Sequence, residues 1–215
     1  SWTANSSQLN SNYGWSVAAG DVDGDGFDDV LVGATKGDGS GGAGGLFNQG
    51  LVYVYPGSMT GPAQDPSMTF EQTDQSEPNF GWSVASIGDM NGDGYDDVVV
   101  GAPSYTDTEI AEGAIYVHLG SALGLDPVAQ GTYDSAEYQG NLGYSVASAG
   151  DVNGDGFYDM IAGCPESNDG FYKAGQAFVF LGACTGDDTD GDTIRDACDV
   201  CPAVADPGQE DADGD

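Results

Sequence analysis

Short apolar runs rich in β-branched residues alternate with Gly-, Asp- and Asn-rich punctuation along most of the chain. Val30-Leu-Val-Gly-Ala34 and Val98-Val-Val-Gly-Ala102 are too short for amphipathic helices and read as strands. Gly50-Leu-Val-Tyr-Val-Tyr55, Gly113-Ala-Ile-Tyr-Val-His118 and Gly175-Gln-Ala-Phe-Val-Phe180 read the same way. Upstream stand Tyr13-Gly-Trp-Ser-Val-Ala-Ala-Gly20, Phe80-Gly-Trp-Ser-Val-Ala-Ser-Ile-Gly88 and Leu142-Gly-Tyr-Ser-Val-Ala-Ser-Ala-Gly150. The same order of elements thus returns three times, and a unit of this length holds four short strands with their turns. No helical periodicity is visible, so the predicted fold class is all-β.

Between the first two strands of each unit lies an acidic loop of nine residues. The copies run Asp21-Val-Asp23-Gly-Asp25-Gly-Phe27-Asp-Asp29, Asp89-Met-Asn91-Gly-Asp93-Gly-Tyr95-Asp-Asp97 and Asp151-Val-Asn153-Gly-Asp155-Gly-Phe157-Tyr-Asp159. Side-chain oxygens at positions 1, 3, 5 and 9 suit a hard cation, calcium above all, which takes six to eight oxygens. Phe27, Tyr95 and Phe157 at position 7 would give a backbone carbonyl, so their side chains are free to be apolar. Glycines at positions 4 and 6 allow the tight wrap. Without an ion, the carboxylates of one loop repel each other. Solvated Asp-Gly turns would explain one such loop; three in the same context favour metal sites. An EF-hand matches at positions 1, 3, 5 and 6 but fails at position 12, where Val32, Val100 and Ala162 stand instead of glutamate.

Composition narrows the partners. The formal charge is −33, with Lys36, Lys173 and Arg195 as the only basic residues. Nucleic acid is excluded as a partner on electrostatic grounds, and anionic membranes nearly so. Such acidity usually means disorder, but 39 % hydrophobic residues argue for a packed core. No stretch is long enough to span a bilayer, and no signal peptide is visible. Weak structural calcium sites suit the millimolar calcium outside cells, so the expected location is extracellular or on the cell surface.

After Gly182 the composition changes. Asp188-Thr-Asp190-Gly-Asp192-Thr-Ile194-Arg-Asp196 repeats the spacing of the acidic loops, and Asp199 adds a carboxylate at position 12. Cys198-Asp-Val-Cys201 follows the same stretch. A zinc site or redox pair would need a second Cys pair or a βαβ context, and neither appears. Asp211-Ala-Asp213-Gly-Asp215 begins another copy.

The repeats resemble FG-GAP repeats, the blades of the integrin α-chain β-propeller. Phe80-Gly81 and Gly101-Ala102-Pro103 are the closest match, and the resemblance covers roughly residues 1–183. It implies four-stranded blades over about 13–73, 80–135 and 142–183, with calcium in the hairpin between the first two strands. Gly14, Gly81 and Gly143 would pack near the propeller axis. Residues 1–12 align with the segment before Phe80, so an outer strand is expected there, placed to complete the last blade and cover an open edge. Three blades are few for a propeller, which typically has four to eight. The expectation is that further blades or partner chains complete the ring. Residues 184–215 resemble a thrombospondin type 3 repeat, a calcium-wound stalk that breaks off inside a second copy. That resemblance implies a disulfide between Cys184 and Cys198, with Cys201 pairing beyond residue 215. Cys164, standing where Gly-Ala-Pro has alanine, is expected to be a free buried thiol.

Nothing points to catalysis. His118 is the one histidine, in an apolar strand context, and no nucleophile-histidine-acid arrangement is readable. Carboxylates abound, but their spacing assigns them to metal. Trp15 and Trp82 occupy equivalent repeat positions, where packing is the plain reading and sugar stacking the alternative. Asn5-Ser-Ser7 is a glycosylation sequon. The expected function is a non-enzymatic extracellular calcium-binding structural or adhesion protein with a protein or glycan ligand. The alternatives are a subunit of an extracellular polymer, built from homo-oligomeric contacts, and a carbohydrate-binding accessory module of a secreted enzyme. By the integrin resemblance, the variable loops 35–50, 103–113 and 165–175, opposite the calcium hairpins, are the expected contact regions.

Overall fold

A computed structural model describes residues 1–38, 48–71, 78–168 and 172–183. Its strands form three antiparallel meanders. The first blade contains β1 (Tyr13–Gly20), β2 (Asp29–Ala34), β3 (Leu51–Tyr55) and β4 (Met68–Phe70). The second contains β5 (Ser83–Gly88), β6 (Asp97–Ala102), β7 (Ala114–His118) and β8 (Gly131–Asp134). The third contains β9 (Ser145–Gly150), β10 (Asp159–Cys164) and β11 (Gln176–Phe180). Among the described residues it has three strands where the repeat pattern predicts four, and β11 forms its edge.

Equivalent residues occupy equivalent registers: Val17 faces Val32, Val84 faces Val100 and Val146 faces Ala162. The second and third units carry one extra residue before the acidic loop, Ile87 and Ala149. Each is absorbed as a register shift, between Ser86 and Gly88 and opposite Asp159/Met160. A bulge of this kind lets the loop start at the same place on a longer strand.

The core lies between blades. One cluster joins Leu31, Val52, Val54 and Phe70 of the first blade to Phe80, Val84, Val98, Val100 and Tyr116 of the second. The other joins Ile87, Val99, Ile115 and Val117 to Leu142, Met160 and Ala162. The β6 run Asp-Val-Val-Val-Gly-Ala is buried at every position because its two faces serve the two clusters, as expected of a strand covered on both sides.

The two blade junctions repeat the same polar contacts. Ser16 Oγ donates to Gly81 O and Ser83 Oγ to Gly143 O, both at 2.7 Å. Phe80 N donates to Gln49 O (3.2 Å) and Leu142 N to Glu112 O (3.0 Å). Asp96 N donates to Asp21 O (3.1 Å) and Tyr158 N to Asp89 O (3.2 Å). An aromatic from each outer strand then packs on the end of the next blade's third strand, Phe70 on His118 at 4.6 Å and Tyr133 on Phe180 at 4.7 Å.

Residues 1–12 depart from expectation: they form no strand and do not pair with β11. The segment lies instead against the first blade, where Trp2 packs on Tyr55 at 5.1 Å and donates from Nε1 to Ala63 O (2.8 Å). Trp2 therefore fills the place that Phe70 and Tyr133 fill at the other junctions. Its side chain makes the contact of an outer strand without the backbone ladder, because no third-strand edge stands beside it.

Candidate metal centre

Each acidic loop connects the first two strands of its blade, and each folds around its position-1 aspartate. Asp21 accepts from Asp25 N (3.1 Å) and Gly26 N (2.9 Å). Asp89 accepts from Gly92 N (2.7 Å), Asp93 N (3.0 Å) and Gly94 N (2.8 Å), and Asp151 takes the same three donors. The glycines at positions 4 and 6 have positive φ, for example +71° at Gly24 and +88° at Gly26, which turns successive N–H groups onto one carboxylate. These donors, Gly156 N foremost, hold the Asp151 carboxyl below the usual carboxylate range.

Positions 3 and 5 continue the wrap. Asp23, Asn91 and Asn153 accept from the N–H at position 5. Asp25, Asp93 and Asp155 accept from the N–H of Phe27, Tyr95 and Phe157. In the first loop the second oxygens of Asp23 and Asp25 make no hydrogen bond among the described residues. In the other loops the asparagine amide bridges to position 5 instead, Asn91 Nδ2 to Asp93 Oδ2 at 3.0 Å and Asn153 Nδ2 to Asp155 Oδ2 at 2.6 Å. Asp21, Asp23 and Asp29 bring one oxygen each within 4.8 Å of the others. Both oxygens of Asp21 and of Asp29 already accept N–H groups, so among the described residues the second oxygens of Asp23 and Asp25 are the unused acceptors of the first loop. The donor set fits a hard divalent ion.

Position 9 does more than its spacing predicts. Asp29, Asp97 and Asp159 are buried. Each accepts from the position-2 N–H of its own loop, that of Val22, Met90 or Val152. Each also accepts from a glycine two residues past the third strand, Gly57 (2.7 Å), Gly120 (3.0 Å) or Gly182 (2.8 Å). Burial pushes the Asp97 carboxyl up to about 7, against the pull of the two N–H donors, and raises Asp29 in the same direction. A carboxylate this desolvated is stabilised as an anion by a neighbouring cation. The position-9 residue thus ties the loop to the turn beyond the third strand. A Cβ on Gly57, Gly120 or Gly182 would collide with the loop backbone at Asp28 O, Asp96 O or Tyr158 O. These glycines were not singled out by the loop spacing; their fixed place after Tyr55, His118 and Phe180 is the signal that could have found them.

The FG-GAP repeat model matches residues 13–55, 80–118 and 142–180. Each match begins at the aromatic or leucine before a junction glycine, contains one acidic loop, and ends with the third strand. The chain belongs to the FG-GAP repeat family. It is 32 % identical over 184 residues to Integrin alpha-PS2 of Drosophila melanogaster, covering 80 % of this chain and 12 % of that protein. It is 34 % identical over 161 residues to Integrin alpha-5 of Xenopus laevis and 35 % over 159 residues to Integrin alpha-IIb of Mus musculus, each match covering 73 % of this chain. The chain spans only 12–15 % of the length of these three relatives.

At the opposite end of the inner strands from the acidic loops, the FG-GAP repeats place Trp15, Trp82 and Tyr144 in a row. Ring centroids are 4.7 Å apart between Trp15 and Trp82 and 5.3 Å between Trp82 and Tyr144. Trp15 and Tyr144 are half exposed, so the row packs on itself and also meets solvent. In the loop 103–113, buried Glu112 gathers the N–H groups of Asp107, Thr108 and Glu109 and the Thr108 hydroxyl. Gly81 and Gly143 sit at the junctions, where a Cβ would press on Leu51 O or Ala114 O; Gly14 meets nothing. His118 is buried between Phe70 and Phe80, with Nδ1 on Asp126 O at 2.9 Å. Cys164 is buried and free, its thiol donating to Gly140 O. No helix among the described residues is long and apolar enough to cross a membrane. The tail residues Asp188, Asp190, Asp192, Ile194, Asp196 and Asp199, and the Cys184–Cys198 pair, lie outside the described residues.

Proposed function

We propose that this chain is an extracellular, non-enzymatic module in which calcium stiffens each blade, for adhesion or surface structure. The observation that carries the reading is the thrice-built cradle. In each loop a position-1 aspartate gathers N–H groups and a buried position-9 aspartate ties the loop to the turn beyond the third strand, and in the first loop Asp21, Asp23 and Asp29 bring one oxygen each within 4.8 Å of the others. Asp21, Asp23, Asp25 and Asp29, with the carbonyl of Phe27, would hold the first ion. Asp89, Asn91, Asp93, Asp97 and Tyr95 would hold the second, and Asp151, Asn153, Asp155, Asp159 and Phe157 the third. Bound calcium would supply charge neutralisation alone; the loop residues set its shell. Residues 184–215 extend the reading as a thrombospondin type 3 stalk, with a further ion on Asp188–Asp199 and a Cys184–Cys198 disulfide. The ligand would be an extracellular protein or glycan, met by the loops at the end away from the cradles.

Calcium titration calorimetry tests this directly. The 215-residue chain should take up calcium with three propeller sites, and Asp89→Ala should remove one of them. Magnesium should bind more weakly, since it demands a tight octahedral shell. Absence of calcium heat, or an unchanged stoichiometry in the Asp89→Ala variant, defeats the reading.

A second reading, a carbohydrate-binding accessory module, is favoured by the row of Trp15, Trp82 and Tyr144, whose two ends are half exposed. It requires glycan-array binding by the native chain that Trp82→Ala abolishes while calcium uptake stays unchanged.

A further inference from the structure

We infer that the acidic loops are coupled from blade to blade, through the turn beyond each third strand and, between the first two blades, through Asp96. The inference rests on the calcium reading above and adds that an ion held in one loop strengthens uptake in the next. The turn Gly120-Ser121 places two consecutive N–H groups on two different loops. Gly120 N donates to Asp97 Oδ1 in the loop of its own blade (3.0 Å), and Ser121 N donates to Val22 O in the loop of the first blade (3.1 Å). The turn Gly182-Ala183 does the same, with Gly182 N on Asp159 Oδ1 (2.8 Å) and Ala183 N on Met90 O (3.0 Å). Val22 and Met90 stand at position 2, and their own N–H groups donate to the position-9 carboxylates of their loops, at Asp29 Oδ2 (3.2 Å) and Asp97 Oδ2 (2.9 Å). One line of hydrogen bonds thus runs from Asp159 through Met90 to Asp97, and on through Val22 to Asp29. All three aspartates are buried, which keeps water from competing for these bonds.

The first two loops share more. Asp96, at position 8 of the second loop, donates from its N–H to Asp21 O (3.1 Å), and its Oδ2 accepts from Asp21 N (3.2 Å) and Ser86 Oγ (3.1 Å). Asp21 is the position-1 residue around which the first loop folds. Tyr95, at position 7, lies over Gly24, where a Cβ would meet its ring. The second blade therefore grips positions 1, 2 and 4 of the first loop. At the other junction Tyr158 stands at position 8. It keeps the main-chain bond to Asp89 O but brings a ring onto Gly88 in place of the carboxylate. Asp96 is thus a positioning residue of the first loop and stands outside the ion-facing positions of its own. A loop ordered by its ion fixes the turn and the position-8 residue that hold its neighbour. The neighbour then binds from an ordered state and gives up less conformational entropy, which is positive cooperativity. Linkage makes the effect reciprocal.

Nuclear magnetic resonance titration of the 215-residue chain with calcium is the test. The amides of Gly26, Gly94 and Gly156 each donate to the position-1 aspartate of their own loop and so report one loop apiece. In the native chain all three should titrate more steeply than a single-site curve. Asp93→Ala removes a carboxylate of the second loop that takes no part in either bridge. It should weaken uptake at Gly26 and Gly156 about fivefold or more, although no residue of those loops has changed. Asp96→Ala alone should leave uptake at Gly94 near its native value. Added to Asp93→Ala, it should shrink the effect at Gly26 and leave the effect at Gly156 in full. Single-site curves at all three glycines of the native chain overturn the proposal, whether or not the variants fold. So do unchanged affinities in Asp93→Ala, or a full effect at Gly26 when Asp96 is also replaced. Calcium that moves none of the three amides overturns the calcium reading itself, whereas independent uptake at the three loops removes only the coupling.

Discussion

The second and third blades are written in nearly the same letters and end up in different surroundings. Both have a Ser-Val-Ala-Ser inner strand, an acidic loop and a third strand with valine as its fourth residue. In the second blade, β7 is buried at all five positions; in the third, no residue of β11 is. The strand pattern sets which residues pair within a blade, and the neighbouring blade sets whether they are dry. Stability in this architecture therefore belongs to junctions more than to blades, as in other repeat proteins whose units contact only their neighbours.

Removing metal should affect this contrast most. Three sites held at a hundredfold excess over Kd would contribute about 8 kcal/mol, comparable to the whole stability of a typical domain. Calcium chelation by EGTA should therefore lower the melting temperature sharply. Hydrogen exchange should quicken first in β9–β11, with β5–β8 last. An unchanged melting temperature would remove calcium from the account, and uniform exchange would remove the contrast between blades.

Acid should act on the second blade next. Burial lowers the His118 pKa to about 4, while its unfolded value lies near 6.5. The unfolded chain then binds a proton that the folded chain refuses, so the stability present above pH 6.5 is lost as pH falls toward 4. The loss is on the order of 3 kcal/mol. Phe180 holds the same place in the third blade and has nothing to titrate. Denaturant melts across this pH range should show the loss, and His118→Phe should remove that part of the slope.

The smallest effect comes from one substitution made twice. Val117→Ala should cost about 2 kcal/mol through lost burial and a residual cavity. Val179→Ala in the monomer should cost under about 0.5 kcal/mol. Equal costs in denaturant titrations would mean that the open face of the third blade is covered in solution.

Much of this was legible in the sequence. The β-branched runs fell where β2, β3, β6 and β7 lie, because alternation and turn chemistry are local properties. The acidic loops were found by spacing alone. Residues 1–12 align with the segment before Phe80, which predicts a strand. They are not one, since a strand needs a ladder partner and the contact made by Trp2 does not. Spacing alone makes position 9 a ligand and nothing else. Its hold on Gly57, Gly120 or Gly182 depends on a turn 23 to 28 residues away, which loop spacing does not report. The half-exposed state of Trp15 likewise depends on packing across blades.

The junction contacts have a consequence for how such chains evolve. Gly81 O, Gly143 O, Gln49 O, Glu112 O, Asp21 O and Asp89 O are all main-chain acceptors. Outside the Ser16 and Ser83 hydroxyls and the apolar clusters, these polar contacts tolerate side-chain replacement because they are made by the backbone. Phe80 and Leu142 already stand at the same point of two junctions without changing them. Whole units can thus be duplicated, lost or traded between lineages as interchangeable parts. Selection is left free to rewrite the loops at the far end.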